Sequence, residues 1–218
     1  SILAVTFTNK AAAEMRIRVS KLLGFNDPSA TPLTFLGTFH SIANRILRRE
    51  SDRLGLNSNF LIYDAADSQA LIKKILKSLH IDDKTITPSG ISWAISSAKN
   101  ELIGPEKYRS IASSRIQLVA ADVYPIYQRE LYNAKALDFD DLIMQLVSLF
   151  KSEAEVLQRY QKQFEYIMVD EYQGTNTIQE FILNRLKDNK NNVCVVGDDD
   201  QGLYRFRGAT IRNIFEFP

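Results

Sequence analysis

The 218 residues contain a single cysteine, Cys194, so no disulfide can form within the chain. It lies in the apolar run 193–196, where a buried core thiol is expected. No apolar run approaches the roughly 20 residues that cross a membrane. The N-terminus has neither the basic region nor the cleavage site of a secretory leader, so a cytoplasmic location with no membrane partner is the expectation. Opposite charges nearly cancel, at a net +1, so bulk charge gives no argument for nucleic acid. No internal repeat and no low-complexity segment is found. An initiating Met is also lacking: Ser1-Ile2-Leu3-Ala4-Val5-Thr6-Phe7 reads as a strand that starts at once, as in a piece of a longer protein.

What remains is an ordinary globular composition, long enough for one large domain or two small ones. Basic residues cluster locally, as Arg16, Arg18 and Lys21, as Arg45, Arg48, Arg49 and Arg53, and as Arg205, Arg207 and Arg212. Such clusters are solvated helix faces unless the fold gathers them on one side.

The stretch Ile167-Met168-Val169-Asp170-Glu171-Tyr172-Gln173 organises the chain. A short apolar run ending abruptly in two carboxylates suits a central parallel strand, buried on both faces. Ligands of open α/β sheets bind at the carboxyl ends of such strands. There one carboxylate can hold Mg²⁺ and a second can orient or deprotonate water, as in a Walker B element. The same pattern also arises where carboxylates are merely solvated or cap the next helix.

Further strands are expected at 2–7, 33–35 and 193–196, and the run around 167 begins at Tyr166. Thr8 caps a helix with Ala12, Met15, Val19 and Leu22 inward, ending at Gly24. A helix with Ile42, Ile46 and Leu47 follows Gly37-Thr38-Phe39-His40-Ser41. From Asp64, itself a helix cap, the texture is helical: Leu71, Ile72, Ile75, Leu76 and Leu79 form one face. Helices at 90–100 and 113–133 follow, and no strand is read between about 64 and 137. His80 reads as a surface residue of this segment. Asp138 caps a helix with Leu142, Ile143, Leu146, Val147 and Phe150 inward, and Asp138, Asp140 and Asp141 suit capping better than metal binding. A helix with Ile178, Phe181, Ile182 and Leu186 precedes the last strand. Strands separated by helices imply a parallel sheet, here interrupted in sequence by a helical insertion.

Four polar blocks follow the four strands, at 6–12, 37–41, 170–173 and 197–208, and a parallel sheet brings them to one edge. In the last, Gln201 can sense a phosphate, while Tyr204, Phe206 and Arg207 combine aromatic faces with a forked cation. Single-stranded nucleic acid suits that combination, since each stacked base is worth roughly 1–3 kcal/mol. The alternative is two core aromatics with solvent-facing arginines.

These blocks together resemble the superfamily 1 DNA helicases of the UvrD/PcrA/Rep group. The likeness runs through Ala4-Val5-Thr6-Phe7-Thr8-Asn9-Lys10-Ala11-Ala12-Ala13-Glu14-Met15 (motif Ia), Thr38-Phe39-His40-Ser41 (motif Ib region), Leu137-Asp138-Phe139-Asp140-Asp141-Leu142, and Val169-Asp170-Glu171-Tyr172-Gln173 (motif II). It ends with Val195-Val196-Gly197-Asp198, Asp200-Gln201 and Tyr204-Arg205-Phe206-Arg207-Gly208-Ala209 (motif III). It implies an α/β fold, a RecA-like P-loop NTPase parallel sheet in two parts, 1–63 and 138–218, with an inserted all-helical subdomain at 64–137. It implies an ATP-dependent helicase that moves 3′ to 5′ on single-stranded DNA, acts at single/double-strand junctions and serves DNA repair or replication. ATP and Mg²⁺ are the implied cofactors. Asp170 would bind Mg²⁺, Glu171 would be the general base, and Gln201 would report the γ-phosphate. Phe7, Thr8, Asn9, Lys10, Thr38, His40, Tyr204, Phe206 and Arg207 would line the DNA strand, Phe206 stacking on a base. For His40 the alternative is a hydrogen bond within its own turn.

Departures accompany the resemblance, among them Asp199 where the family frequently has Pro. No Gly-x-x-x-x-Gly-Lys-Ser/Thr P-loop occurs; it is expected upstream of Ser1, and the second RecA-like domain beyond Pro218. The 218 residues alone are therefore expected not to hydrolyse ATP. Gly174 stands where the family usually has Asp, and Gly202 where it has Ser. Other readings are a single-stranded-DNA-binding module with a decayed ATPase, the helicase part of a helicase–nuclease, and a P-loop enzyme acting on a small molecule. The last is disfavoured by the aromatic–arginine block.

Overall fold

A computed structural model describes residues 1–30, 33–81, 84–187 and 192–198. The chain begins with β1 (Ile2–Thr6), α1 (Asn9–Leu22), β2 (Phe35–Thr38), α2 (Phe39–Arg49) and β3 (Leu61–Tyr63). The middle is helical, with α3 (Ala65–Ser78), α4 (Pro88–Asn100), α5 (Pro105–Ile111) and α6 (Arg115–Asn133). Then come β4 (Ala136–Asp138), α7 (Phe139–Ser152), α8 (Ala154–Gln163), β5 (Tyr166–Val169), α9 (Thr177–Leu186) and β6 (Val193–Val195). Two compact units result: Leu47–Gln145, and the residues flanking it on both sides.

The flanking unit holds a four-stranded sheet in the order β2-β1-β5-β6, parallel throughout. Thr6 lies opposite Thr38, Val5 opposite Val169, and Val169 opposite Val195, so all four carboxyl ends share one edge. Strand β2 lies later than the expected 33–35, because Gly37 and Thr38 continue the ladder beside Val5 and Thr6. Gly37 also makes room for α2: a Cβ there would come within 2.2 Å of Ser41 Oγ.

Strands β1 and β2 are buried on both faces, from Leu3 to Thr6 and from Phe35 to Thr38. Phe35 meets Phe164 edge-on at 4.9 Å between ring centres, and Tyr160 stacks on Phe164 at 5.7 Å. Tyr160, Phe164 and Phe150 are buried in this unit, as are Leu146 and Val147 on the expected face of α7; Leu142 and Ile143, on the same helix face, are buried and belong to the other unit. Strand β5 departs from the expected burial on both faces. Ile167 and Val169 are buried, whereas Tyr166 and Met168 are 56% and 44% exposed. Successive strand residues point to opposite faces, and at β5 only one of the two is covered. Cys194 pairs with Met168 in the ladder and shares its exposure, so it is not the buried thiol expected.

Helix α1 starts where Thr8 Oγ1 accepts from the Ala11 amide at 3.1 Å, and the chain turns away at Gly24 with φ +79°. The Arg16 guanidinium donates to the Leu36 carbonyl at 2.6 Å. The apolar stripe is only partly used: Ala12, Met15 and Val19 are half-buried, but Leu22 is 85% exposed and does not point inward as expected.

The unit Leu47–Gln145 contains the helical segment read from the sequence at 64–137. Asp64 and Asp67 cap each other reciprocally at the start of α3, Thr87 caps α4 ahead of Pro88, and Ser114 with Gln117 forms a capping box for α6. Ile72, Ile75, Ile91, Ile95, Val123 and Tyr127 belong to its buried core. Helix α5 and a parallel pair, β3 with β4, have no counterpart in the sequence reading. Leu61–Tyr63 and Ala136–Asp138 are three residues each, too short for a period of two to show. His80 is exposed and takes φ +53° just after α3.

Lys99 is wholly buried in this unit. Its Nζ donates to Asp138 Oδ2 at 2.6 Å and lies 2.7 Å from Asp141 Oδ1. The Tyr127 hydroxyl donates to Asp138 at 2.9 Å. Asp138 caps α7 as expected, accepting from the Asp141 amide at 2.8 Å, while Asp141 accepts from the Asp138 amide at 3.2 Å. Burial pushes the Asp141 carboxyl up to about 6, Lys99 working against the shift and Asp138 with it. Burial also raises Asp140, which accepts from Asn100 Nδ2 at 2.9 Å.

Candidate functional site

The shared edge of the sheet collects Thr6 at the end of β1 and Phe7 after it, Thr38 at the end of β2, Asp170 and Glu171 after β5, and Val196 to Asp198 after β6. Of the expected site residues, the structure thus brings the first three blocks and the start of the fourth together. Gln201, Tyr204, Phe206 and Arg207, with Gly202, lie outside the described residues.

The turn after β5 is fixed from both sides. The Asp170 amide donates to the Val5 carbonyl at 2.9 Å and the Val196 amide to the Val169 carbonyl at 2.8 Å. The Tyr172 amide returns to the Val196 carbonyl at 2.9 Å. Asp170 uses Oδ1 to accept from the Glu171 amide at 3.0 Å. Glu171 takes the left-handed conformation, with φ 56° and ψ 40°. For a residue with a Cβ that conformation costs of order 1–3 kcal/mol and persists only where the surroundings over-determine it. The hydrogen bonds just described supply that constraint, and the short 3-10 turn Tyr172–Gly174 continues it.

Gln173, not among the expected site residues, joins two of the blocks. It is 4% exposed. Its Nε2 donates to Glu171 Oε2 at 2.7 Å, and its Oε1 accepts from the Asp198 amide at 3.1 Å. In the sequence it stands at the end of the motif II match, which gave it no role of its own.

Gly174 is buried against Phe7: an added Cβ would meet three atoms of the Phe7 ring at 3.1, 3.3 and 3.4 Å. The motif II turn therefore forms one wall beside the first aromatic of the β1 block. Thr8, Asn9 and Lys10 follow it on the exposed first turn of α1. Thr38 is buried and accepts from the Ser41 amide through Oγ1 at 3.3 Å; His40 is half-buried at the start of α2. Thr6 Oγ1 is buried at the same edge, with no hydrogen-bond partner among the described residues.

Arginines of the first two basic clusters have local roles, while Arg205, Arg207 and Arg212 lie outside the described residues. Arg16 is tied to the Leu36 carbonyl and Arg18 to Glu14 on the same helix. In the other unit Arg48 donates to the Ser58 and Phe60 carbonyls and lies over the Phe60 ring at 4.3 Å. A cavity of about 470 Å³ in that unit is walled by Phe60, Leu131, Tyr132 and Leu137 and includes none of the expected site residues.

Among the described residues no group of three or more His, Cys, Asp or Glu could enclose a metal ion. A lone strand-end carboxylate such as Asp170 nonetheless fits Mg²⁺, which keeps most of its waters and takes one or two protein carboxylates alongside phosphate oxygens. No helix among the described residues is long and apolar enough to cross a membrane.

The profile of the UvrD/REP helicase N-terminal domain matches residues 1–218. The chain is 50% identical over 217 residues to the ATP-dependent DNA helicase PcrA of Bacillus subtilis (strain 168), covering all of this chain and 29% of that protein. It is 47% identical to the PcrA of Staphylococcus epidermidis (strain RP62A) and 46% identical to that of Staphylococcus aureus (strain Mu50), again over 29% of each. The chain thus spans less than a third of the length of these relatives.

Proposed function

The chain belongs to the UvrD/REP helicase family, and from that premise we propose that it forms part of an ATP-dependent DNA helicase that moves 3′ to 5′ along single-stranded DNA and opens duplex at junctions. The observation that carries this reading is the turn after β5. Asp170 and Glu171 leave the sheet at the edge shared by all four strands, and Gln173 holds the Glu171 carboxylate.

In this reading Asp170 would bind Mg²⁺ and Gln201 would report the γ-phosphate. ATP with Mg²⁺ supplies the hydrolysable phosphoanhydride when bound. Asp170, whose Oδ1 accepts from the Glu171 amide, would hold the ion through its carboxylate. Glu171 takes the proton of the attacking water. Phe7, Thr8, Asn9, Lys10, Thr38, His40, Tyr204, Phe206 and Arg207 would line the DNA strand. The sheet unit then corresponds to a RecA-like domain, and the helical segment 64–137 to its insertion. No P-loop sequence occurs among the 218 residues, so these residues alone have no amide cradle for the β- and γ-phosphates and do not turn over ATP appreciably.

The test is Glu171→Gln in the full-length parent. ATP turnover should fall by about 10²–10⁴ with nucleotide binding nearly intact. An unchanged rate removes Glu171 as the base and the reading with it. Gly174, in place of the family's usual Asp, favours a second reading, a single-stranded-DNA-binding module without catalysis. DNA binding with no ATP turnover in the full-length parent would select it.

A further inference from the structure

Gln173 faces two partners with opposite demands. The Glu171 carboxylate only accepts hydrogen bonds, and the Asp198 main-chain amide only donates one. A side-chain amide satisfies both in one orientation alone, with Nε2 toward Glu171 at 2.7 Å and Oε1 toward Asp198 at 3.1 Å. The flipped amide would set oxygen against oxygen and N–H against N–H. Gln173 is 4% exposed, so water cannot readily replace either partner.

The two partners belong to different strands. Glu171 follows β5 in a left-handed turn held by Val5 and Val196, so its carboxylate has few places to go unless its donor moves. Asp198 follows β6 and begins the segment that leads to Gln201 and the aromatic–arginine block. A displacement of the chain at Asp198 lengthens or breaks the bond to Oε1. The amide then loses its anchor, and with it the donor that orients Glu171.

We propose that Gln173 is a positioning residue that couples the main chain after β6 to the Glu171 carboxylate, so that events at the DNA-facing segment set how well the base is aimed. This rests on the reading of Glu171 as the general base. It adds a direct mechanical path between the two loops, independent of the γ-phosphate sensor.

The experiment uses the full-length parent with Mg·ATP and an oligothymidylate, and compares three variants. Glu171→Gln tests the underlying reading. Gln173→Met keeps the length of the side chain and loses both hydrogen bonds. Gln173→Glu keeps an acceptor for Asp198 but places a carboxylate against Glu171. The expected result is a fall of tenfold or more in DNA-stimulated kcat for both Gln173 variants, with KM for ATP within about twofold. Nucleotide-dependent change in oligothymidylate affinity should be lost in both Gln173 variants, since each breaks the bond to Glu171, while affinity without nucleotide stays within about twofold of the parent's, which a merely structural defect would not preserve. If Glu171→Gln slows turnover but either Gln173 variant keeps wild-type kcat, the coupling is overturned and the helicase reading stands. If Glu171→Gln has no effect, both fall. Should Gln173→Met fail to fold, the kcat of Gln173→Glu alone decides.

Discussion

Replacing Lys99 by Met separates charge from packing in the helical unit. The Lys99 ammonium is wholly buried between Asp138 at 2.6 Å and Asp141 at 2.7 Å, with the Tyr127 ring centre 5.2 Å away. Methionine fills most of the volume of the lysine stem, so little cavity opens. What changes is the charge: two buried carboxylates lose their common cation. Breaking a buried ion pair by removing one partner costs about 3–5 kcal/mol. At a urea slope of about 2 kcal/mol per M, the unfolding midpoint at pH 7 should drop by about 2 M. The pH dependence has a definite sign. Asp141 is raised to about 6 in the folded chain, above its ordinary carboxylate value, so its proton stabilises the folded state below about pH 4 and that contribution is lost as pH rises through about 6. Without Lys99, which opposes the shift, the carboxyl rises further. The defect should therefore be smaller at pH 5 than at pH 7. Urea titrations followed by circular dichroism at the two pH values measure it. A loss under 1 kcal/mol, or an equal loss at both pH values, would refute the reasoning.

Two further substitutions probe the site. Gly174→Ala places a methyl about 3.1 Å from the Phe7 ring, and because Phe7 is only half-buried the ring should yield. Stability should then fall by about 1 kcal/mol, the low end for overpacking, while oligonucleotide affinity of the parent weakens; unaltered affinity would detach Phe7 from the DNA path. Phe206→Ala in the parent should cost roughly 1–3 kcal/mol of single-strand affinity, measured by fluorescence anisotropy, and unchanged binding would assign Phe206 to the core.

Elements with strong periodicity or clear caps were legible from sequence. Thr8, Asp64 and Asp138 mark helix starts because their side chains satisfy amides that the helix leaves open. The apolar runs of β1, β5 and β6 mark strands, and their order forces a parallel sheet. Less legible were features set by tertiary partners. Strand β2 is extended by its pairing with β1 rather than by its own composition, and the β3–β4 pair is too short to leave a pattern. Met168 and Cys194 read as core from local hydrophobicity, yet they share a side of β5 and β6 that is exposed. Leu22 failed for the same reason, at the open end of α1. Asp170 and Glu171 stood out because charge ends an apolar run. Gln173 did not, because its partner Asp198 is distant in sequence and only the fold brings them together. Lys99 likewise gave no signal: its counter-ions lie some forty positions on.

ATP hydrolysis by the full-length parent, with and without single-stranded DNA, tests the central claim most directly. Strong stimulation by DNA is predicted, and it would make Gly174 and Gly202 tolerated variations. Retained DNA binding with no stimulated turnover would contradict the account and leave a module that binds DNA without driving it.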